Sequence, residues 1–159
     1  MRLAGIVPES VVDGPGLRFV VFAQGCPHHC PGCHNPDTWD LQGGQEMTLR
    51  EIRKMLRKRR KNLRGLTLSG GEPFLQGHEM AALAREAKKM GLDVVTYTGY
   101  VYEELLTLEL PGSRELLEVT DILVDGPFRQ ELKDLSLAFR GSRNQRLLDL
   151  AAIREMSIA

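Results

Sequence analysis

The sequence predicts a parallel α/β fold, and three observations carry that prediction. Short apolar runs alternate with helical patterns along the chain, which is the order that places parallel strands side by side in βαβ units. The run at residues 19–22 is continuously apolar, as strands with covered faces are. The predicted strands end in glycine-rich or polar segments, where α/β folds collect their ligand-binding groups. We expect one domain, residues 1–159, since 159 residues can bury one substantial core.

The first predicted strand covers residues 17–23 and leads into a loop that holds all of the cysteines. The turn Asp13-Gly14-Pro15-Gly16 precedes this strand. A helix begins at Thr48, because Thr48 and Glu51 form a capping-box pair before an apolar stripe. The other face of this helix is strongly basic. We interpret that face as solvated, with docking of an acidic partner as the alternative.

The remaining elements continue the alternation. Strands are predicted at residues 65–69, 92–97 and 121–124, and helices at 77–90, 102–108 and 113–119. Gly91 is the predicted stop of the helix that precedes it. The methionines of helix 77–90 share its apolar face, so we interpret them as core residues. Residues 147–159 are compatible with a helix or with a late strand.

The cysteine loop is the strongest chemical signal in the sequence. The three cysteines, Cys26, Cys30 and Cys33, have the spacing Cys-x3-Cys-x2-Cys, among prolines and glycines that exclude a regular helix. Three thiolates suit a soft site, either zinc or an iron–sulfur cluster. Zinc would need a fourth ligand, for which His34 or His29 is available. A 4Fe–4S cube would instead keep one iron open for a substrate.

Charge and hydropathy limit the other function classes. Lys and Arg together number 21, as do Asp and Glu, which gives no indication of a nucleic-acid or membrane-surface partner. No apolar run approaches the ~20 residues of a membrane span. Clustered cysteines are typical of a reducing compartment, so a cytoplasmic protein with no membrane or nucleic-acid partner is expected.

Cys-x3-Cys-x2-Cys is the signature of the radical S-adenosylmethionine (SAM) enzymes. With the segments Val12-Asp13-Gly14-Pro15-Gly16-Leu17-Arg18 and Cys33-His34-Asn35-Pro36-Asp37-Thr38-Trp39, the chain resembles the glycyl-radical-enzyme activases. Within that family, the chain most resembles the activators of anaerobic ribonucleotide reductase. This closer resemblance lies in the segments Tyr97-Thr98-Gly99-Tyr100, Val124-Asp125-Gly126 and Arg140-Gly141-Ser142-Arg143-Asn144-Gln145. The resemblance covers residues 10–146.

The resemblance implies a fold and a reaction. The fold would be a partial (incomplete) parallel β/α barrel of the radical SAM type, since closed eight-fold barrels typically need about 250 residues. A 4Fe–4S cluster on Cys26, Cys30 and Cys33 would pass one electron to SAM. The resulting radical would take a hydrogen atom from a glycine of the anaerobic ribonucleotide reductase large subunit. A flavodoxin- or ferredoxin-type protein would supply the electron, and no general base or nucleophile is expected.

The same resemblance implies cofactor-binding residues. The amine of SAM would be held by Gly70-Gly71-Glu72, which follows a predicted strand. Backbone groups from Gly32 to His34 would contact the adenine. Thr98 is a further candidate at a strand end, and Asp125 and Arg143 are weaker ones.

Two positions depart from the family pattern. Gly32 stands where an aromatic residue often precedes the third cysteine, so side-chain stacking on adenine is not expected. Tyr97 stands near the position of an Asp that helps to bind a cation in the formate-lyase activators, so no such cation site is predicted.

Three functions stay open on the sequence alone. The first is activation of anaerobic ribonucleotide reductase. The second is radical SAM chemistry on another target, either a glycyl-radical enzyme of the pyruvate formate-lyase type or a small molecule. The third is a zinc-stabilised binding module without catalysis. We expect a protein glycine as substrate, because an incomplete barrel has an open mouth, with residues 13–16 and 140–146 as its rim and closure by a homodimer as the alternative.

Overall fold

The computed structural model describes residues 1–33 and 35–158. The strands among these residues are β1 (Arg2–Ser10), β2 (Arg18–Ala23), β3 (Gln45–Glu46), β4 (Gly65–Gly70), β5 (Asp93–Tyr97), β6 (Ile122–Asp125) and β7 (Arg146–Asp149). The helices are α1 (Leu49–Arg59), α2 (Gly77–Lys89), α3 (Tyr102–Thr107), α4 (Ser113–Val119) and α5 (Leu150–Ile158). The strands form one open sheet in the order β3-β1-β2-β4-β5-β6-β7. The α/β class is therefore confirmed.

The sheet is mixed, which corrects the expectation of a parallel sheet. Its centre, β2-β4-β5-β6, is parallel, whereas β1, β3 and β7 pair antiparallel with their neighbours. The connection from β1 to β2 is residues 11–17, and a parallel crossover needs a dozen or more residues. A hairpin is therefore the only pairing that this loop permits.

The predicted central elements are confirmed. Helix α1 has the predicted capping box, because Thr48 Oγ1 accepts from the Glu51 backbone N–H (3.1 Å) and Glu51 Oε2 accepts from that of Thr48 (2.8 Å). Met80 of α2 is fully buried, and Met90, which directly follows this helix, packs against the core. Gly91 adopts φ +82° just after this helix, as its predicted role requires.

Two strands, β1 and β3, were not predicted, and the form of the tail was left open. Strand β1 has only Leu3 buried, so its sequence shows little apolar periodicity. Strand β3 has two residues, both exposed. For residues 147–159 the sequence left a helix or a strand open, and the structure contains both, β7 followed by α5.

The two faces of the sheet are covered differently. One face packs on the helices through apolar residues such as Phe19, Leu66 and Val94. Residues 11–17 cross the other face, where Thr67 Oγ1 donates to the Asp13 carbonyl at 2.8 Å. Covering one face with helices leaves the other free to line a cavity.

Arg18 fixes that crossing loop in place. Its side chain is fully buried and pairs with the Asp93 carboxylate. Its Nε donates to Thr67 Oγ1 (2.7 Å) and its Nη1 to the Pro15 carbonyl (2.8 Å). Because a buried guanidinium needs all of these acceptors, residues 13–15 are held in one position over the sheet.

The basic face of α1 lies on the protein surface. Arg53 and Arg59 reach Glu86 and Glu9 at 3.8 and 3.6 Å, and other basic residues such as Lys54 are exposed. This matches the interpretation as a solvated face, while docking of an acidic partner stays a prediction. Among residues 1–33 and 35–158, no helix combines the length and the apolar character that a membrane crossing requires.

Candidate functional site

The cysteine loop opens into a cavity of about 440 Å³ at the carboxyl ends of β4 and β5. Cys26, Cys30 and Cys33 all line it. The other described residues around it come from the cysteine loop and the turn after it, the strand ends, the crossing loop and the segment before β7: Val12, Asp13, His28, Asn35, Trp39, Ser69, Gly70, Gly71, Tyr97, Thr98, Gly99, Gly126, Phe128, Asp134, Leu135, Leu137, Phe139, Arg140, Gly141 and Gln145. Three soft ligands and two predicted strand ends therefore share one space.

The cysteine loop is tied to the turn that follows it. Gly25 N–H donates to the Thr38 carbonyl (2.6 Å), and Cys26 N–H to the Trp39 carbonyl (3.3 Å). The His29 ring stacks on Trp39 with centroids 4.5 Å apart and planes 6° from parallel. These contacts fix both the entry and one outer edge of the loop.

The three thiols are free and half-buried. Burial raises the pKa of Cys26 and that of Cys30; the charge of Glu72 adds to the effect at Cys26 and the neighbouring Cys33 adds to it at Cys30. In the described part of the chain, no three His, Cys, Asp or Glu side chains come close enough to hold one metal ion. A 4Fe–4S cluster does not need that closeness, because each cysteine binds its own iron. Three convergent, half-buried thiols therefore fit such a cluster.

Glu72 lies directly beneath the cavity wall and is 0% exposed. Its carboxylate accepts from the Gly99 N–H (2.8 Å) and the Phe74 N–H (3.2 Å). The Thr98 hydroxyl lies 2.9 Å from each of its oxygens, and His28 Nε2 lies 2.6 Å from Oε1. The structure thus brings the predicted residues Glu72 and Thr98 together, and both belong to one polar network with the cysteine loop.

Gly70 and Gly71 line the cavity, and each lies against the backbone of another segment of the protein. A Cβ on Gly71 would lie 2.4 Å from the Gly25 carbonyl oxygen, and one on Gly70 would lie 2.5 Å from the Ala23 nitrogen. Gly70 also adopts φ +96°, which favours glycine. These glycines let β4 approach the root of the cysteine loop as well as the cavity.

Of the other predicted site residues, Gly32, Asp125 and Arg143 are not among the described residues that line the cavity. Gly32 is exposed, and a Cβ on it would meet Gln130 and Phe128. His34 lies outside the described residues. Asp125 is buried against Arg146 and accepts from the Tyr102 N–H at 2.8 Å. Arg143 is exposed, and its backbone N–H donates to the Leu132 carbonyl (2.9 Å). Neither of the last two is among the described residues around the cavity, so their cofactor roles stay predictions.

Tyr97 lines the cavity although the sequence did not single it out as ligand-binding, and Arg140 belongs to the segment that the sequence placed at the rim. Tyr97 donates its hydroxyl to the Phe139 carbonyl at 2.6 Å, and its pKa is raised, mainly by burial. Arg140 Nη1 donates to the Gln145 carbonyl (3.0 Å). The buried Arg140 Nε has no hydrogen-bond partner among the described residues. The sequence contained indications of both positions, since Tyr97 ends a predicted strand and Arg140 and Gln145 belong to the segment that resembles the ribonucleotide reductase activators.

The mouth of the cavity is apolar on two sides. Val12 of the crossing loop is 72% exposed and Leu135 of the segment before β7 is 86% exposed. Leu137 and Phe139 continue this lining inward. Large apolar side chains exposed beside a cavity are a common feature of surfaces that bind another molecule.

Comparison with known proteins identifies a matching family model and several relatives with one shared name. The sequence model of a family described as "4Fe-4S single cluster domain" matches residues 12–148. The chain is 38% identical to the anaerobic ribonucleoside-triphosphate reductase-activating protein of Salmonella typhimurium over 152 residues, which are 91% of this chain and 96% of that protein. It is 36% identical to the Escherichia coli K12 protein of the same name over 146 residues, 87% and 92% of the two chains. Its identity to the bacteriophage T4 protein of that name is 35% over 152 residues, 92% and 93% of the two chains.

Proposed function

We propose that this protein cleaves SAM reductively and generates a glycyl radical on anaerobic ribonucleoside-triphosphate reductase. The chain belongs to the family of anaerobic ribonucleoside-triphosphate reductase-activating proteins. One observation carries the proposal. The three cysteine thiols and the glycine-rich end of β4 line a single cavity, directly above the buried Glu72 carboxylate. Cluster ligands therefore line the space behind whose wall lies a carboxylate that can attract an ammonium group.

Cys26, Cys30 and Cys33 would hold the 4Fe–4S cluster. When bound, the cluster would supply the one electron that cleaves the C5′–S bond of SAM into methionine and a 5′-deoxyadenosyl radical, which would take a hydrogen atom from the partner's glycine. The protein's own contribution is to position the reactants and to keep water away, as it is for most cofactor enzymes. The hydrogen bonds from Gly25 and Cys26 to residues 38 and 39 serve that purpose, because they fix the loop before any cofactor binds.

The methionyl end of SAM would lie on Gly70, Gly71 and the network around Glu72. The glycine backbone can approach the cofactor closely, and the buried carboxylate attracts the ammonium group across the cavity wall. Thr98 shares the same network. For a carboxylate in the cavity, Arg140 is better placed than Arg143, since it lines the space and its Nε has no partner among the described residues.

The remaining assignments are weaker. Backbone groups at Gly32 and His34 stay candidates for the adenine, and Asp125 stays a candidate that acts from behind the cavity wall. The fold we propose is the incomplete β/α barrel of the radical SAM type, treated as one domain. Support for it comes from the open sheet, whose parallel centre has helices on one face and the cavity at its carboxyl end.

The partner would dock at the mouth of the cavity. A glycine Cα can react only inside the cavity, so a segment of the reductase must cross the mouth between residues 11–16 and residues 134–141. The first of these segments is held by Arg18, and the second is held by Tyr97 through the Phe139 carbonyl. Exposed Val12 and Leu135 would contact apolar side chains of the entering segment. A flavodoxin- or ferredoxin-type donor and a cytoplasmic location complete the proposal.

Anaerobic reconstitution tests this function. The protein is loaded with iron and sulfide, reduced with dithionite and mixed with SAM, and 5′-deoxyadenosine and methionine are measured with and without the reductase. We expect both products and a higher rate with the reductase present. Full iron loading with no SAM cleavage under either condition would contradict the proposal.

A further inference from the structure

His28 lies between two of the cysteines, and its side chain is wedged into the protein instead of pointing to solvent. Only 16% of the side chain is exposed. Its Nε2 lies 2.6 Å from Glu72 Oε1. Its ring meets the edge of the Tyr100 ring, with centroids 4.5 Å apart and planes at 77°. One side chain of the cysteine loop thus contacts both the end of β4 and the end of β5.

Gly99 provides the space for this ring. A Cβ at Gly99 would lie 2.4 Å from His28 Cδ2, 2.7 Å from Nε2 and 2.8 Å from Cγ. The backbone of Gly99 is outside the left-handed region, so its conformation does not require glycine. The glycine at this position is therefore explained by the His28 ring.

The carboxylate that His28 meets is itself held from three directions. Oε1 accepts from the Gly99 N–H and Oε2 from the Phe74 N–H, and the Thr98 hydroxyl contacts both oxygens. Glu72 therefore cannot shift to follow a moving partner. His28 fixes the cysteine loop to a rigid point, and that point is the carboxylate proposed to face the SAM amine.

We propose that His28 is a positioning residue that sets the distance between the cluster on the cysteine loop and the amine-binding site at Glu72. This inference rests on the proposed function, because it assigns those two sites. His29 contrasts with it, since its ring stacks on Trp39. His78 supplies a matched control, because its Nδ1 also lies 2.6 Å from a carboxylate oxygen, that of Glu115, on the exposed surface.

His28→Ala is expected to separate cluster assembly from SAM binding. All three cysteines remain, so anaerobic reconstitution should load iron as in the wild type. The SAM dissociation constant, measured by calorimetry on the loaded protein, should rise at least about tenfold, because a buried hydrogen bond to a charged group is lost. The change that SAM produces in the electron paramagnetic resonance (EPR) spectrum of the reduced cluster should be lost or altered.

Two companion variants exclude a merely unfolded protein. His28→Gln retains an amide that can donate to Glu72, so it should recover most of the SAM affinity and the EPR change. His78→Ala removes a histidine–carboxylate pair of the same length and should match the wild type in both measurements.

Gly99→Ala tests the same contact without removing a polar group. In the wild-type background the added methyl group displaces the His28 ring and should weaken SAM binding as His28→Ala does. In the His28→Ala background the three nearest atoms that it would meet are gone, so it should add little. Such non-additivity is expected for residues that are in contact, whereas independent sites are expected to add.

The outcomes are distinct. The inference is overturned if His28→Ala binds SAM with wild-type affinity and the wild-type EPR change, or if Gly99→Ala is as harmful without His28 as with it. A wild-type protein that loads iron and binds no SAM would overturn the proposed function, and this inference with it. Wild-type SAM binding together with unchanged variants overturns the inference alone.

Discussion

Gly71→Ala adds one methyl group at the place where β4 meets the root of the cysteine loop. The nearest atoms to the new Cβ would be Gly25 O (2.4 Å), Gly25 C (2.9 Å) and Thr38 O (3.0 Å), all of them backbone. Ordinary contact begins at 3.4 Å, so the methyl group and Gly25 O must separate by about 1 Å. Backbone cannot rotate away as a side chain would, and the cysteine loop itself must move.

The cost follows from three contributions. Overpacking a tight site costs about 1–3 kcal/mol. The movement stretches the hydrogen bond from the Glu72 N–H to the Gly25 carbonyl (2.8 Å), which is worth about 0.5–1.5 kcal/mol. The loss of chain entropy in the unfolded state on replacing glycine offsets about 0.4–1 kcal/mol. The net destabilisation is about 0.5–4 kcal/mol, which lowers the Tm of a chain of this size by about 1–16 °C.

Thermal unfolding followed by circular dichroism measures this effect on the metal-free protein, and iron analysis measures it after reconstitution. We expect a lower Tm and a lower iron content, because the displaced residue adjoins Cys26. Gly5→Ala is the control, since a Cβ there would meet nothing within 4 Å, and its Tm should be unchanged or slightly higher. Gly71→Ala protein that melts at the wild-type temperature and loads wild-type iron would refute the reasoning.

The remaining predictions concern the cluster, the mouth and the tail. Cys30→Ala should lose most iron and all SAM cleavage, and full iron content in that variant would exclude Cys30 as a ligand. Leu135→Ser should weaken binding of the reductase in anaerobic calorimetry, whereas Met156→Ser, which changes a residue that is also exposed (78%), should not; equal losses would place the docking surface elsewhere. Hydrogen bonds from Arg146 hold the pKa of Glu103 below its usual value, so the contribution of this carboxylate to stability is present at neutral pH and lost as pH falls through the lowered pKa. Glu103→Gln should therefore melt slightly below the wild type at pH 7, and the difference should shrink below the ordinary glutamate pKa of about 4.3 and disappear as pH falls through the lowered pKa of Glu103. A difference that persists at the lowest pH would contradict this assignment.

The local motifs were predictable because their chemistry lies within a few adjacent residues. The cysteine spacing, the glycines at the end of β4 and the capping box of α1 each depend on a short segment, and the structure places them as expected. The central strands were predictable for a similar reason, since buried parallel strands are continuously apolar. Strand β1 has a single buried residue, and this pattern gives no such signal.

The direction of side chains at strand ends was not predictable. Asp125 ends β6 as expected, yet its carboxylate contacts Arg146 on the antiparallel strand β7, in a tail that the sequence left open between a helix and a strand. The contact between His28 and Gly99 joins residues that are distant in sequence, so neither position indicates the other. The glycine at position 99 is explained by the packing of the segment after β5 against the His28 ring of the cysteine loop.

The formation of a glycyl radical on the partner tests the central claim most directly. The cluster-loaded, reduced protein is mixed anaerobically with SAM and the anaerobic ribonucleoside-triphosphate reductase, and the EPR spectrum is recorded. We predict a doublet that collapses when the reductase is prepared with glycine deuterated at Cα, because the Cα hydrogen causes the splitting. Formation of 5′-deoxyadenosine with no glycine-centred radical would contradict the account and would indicate a small-molecule substrate.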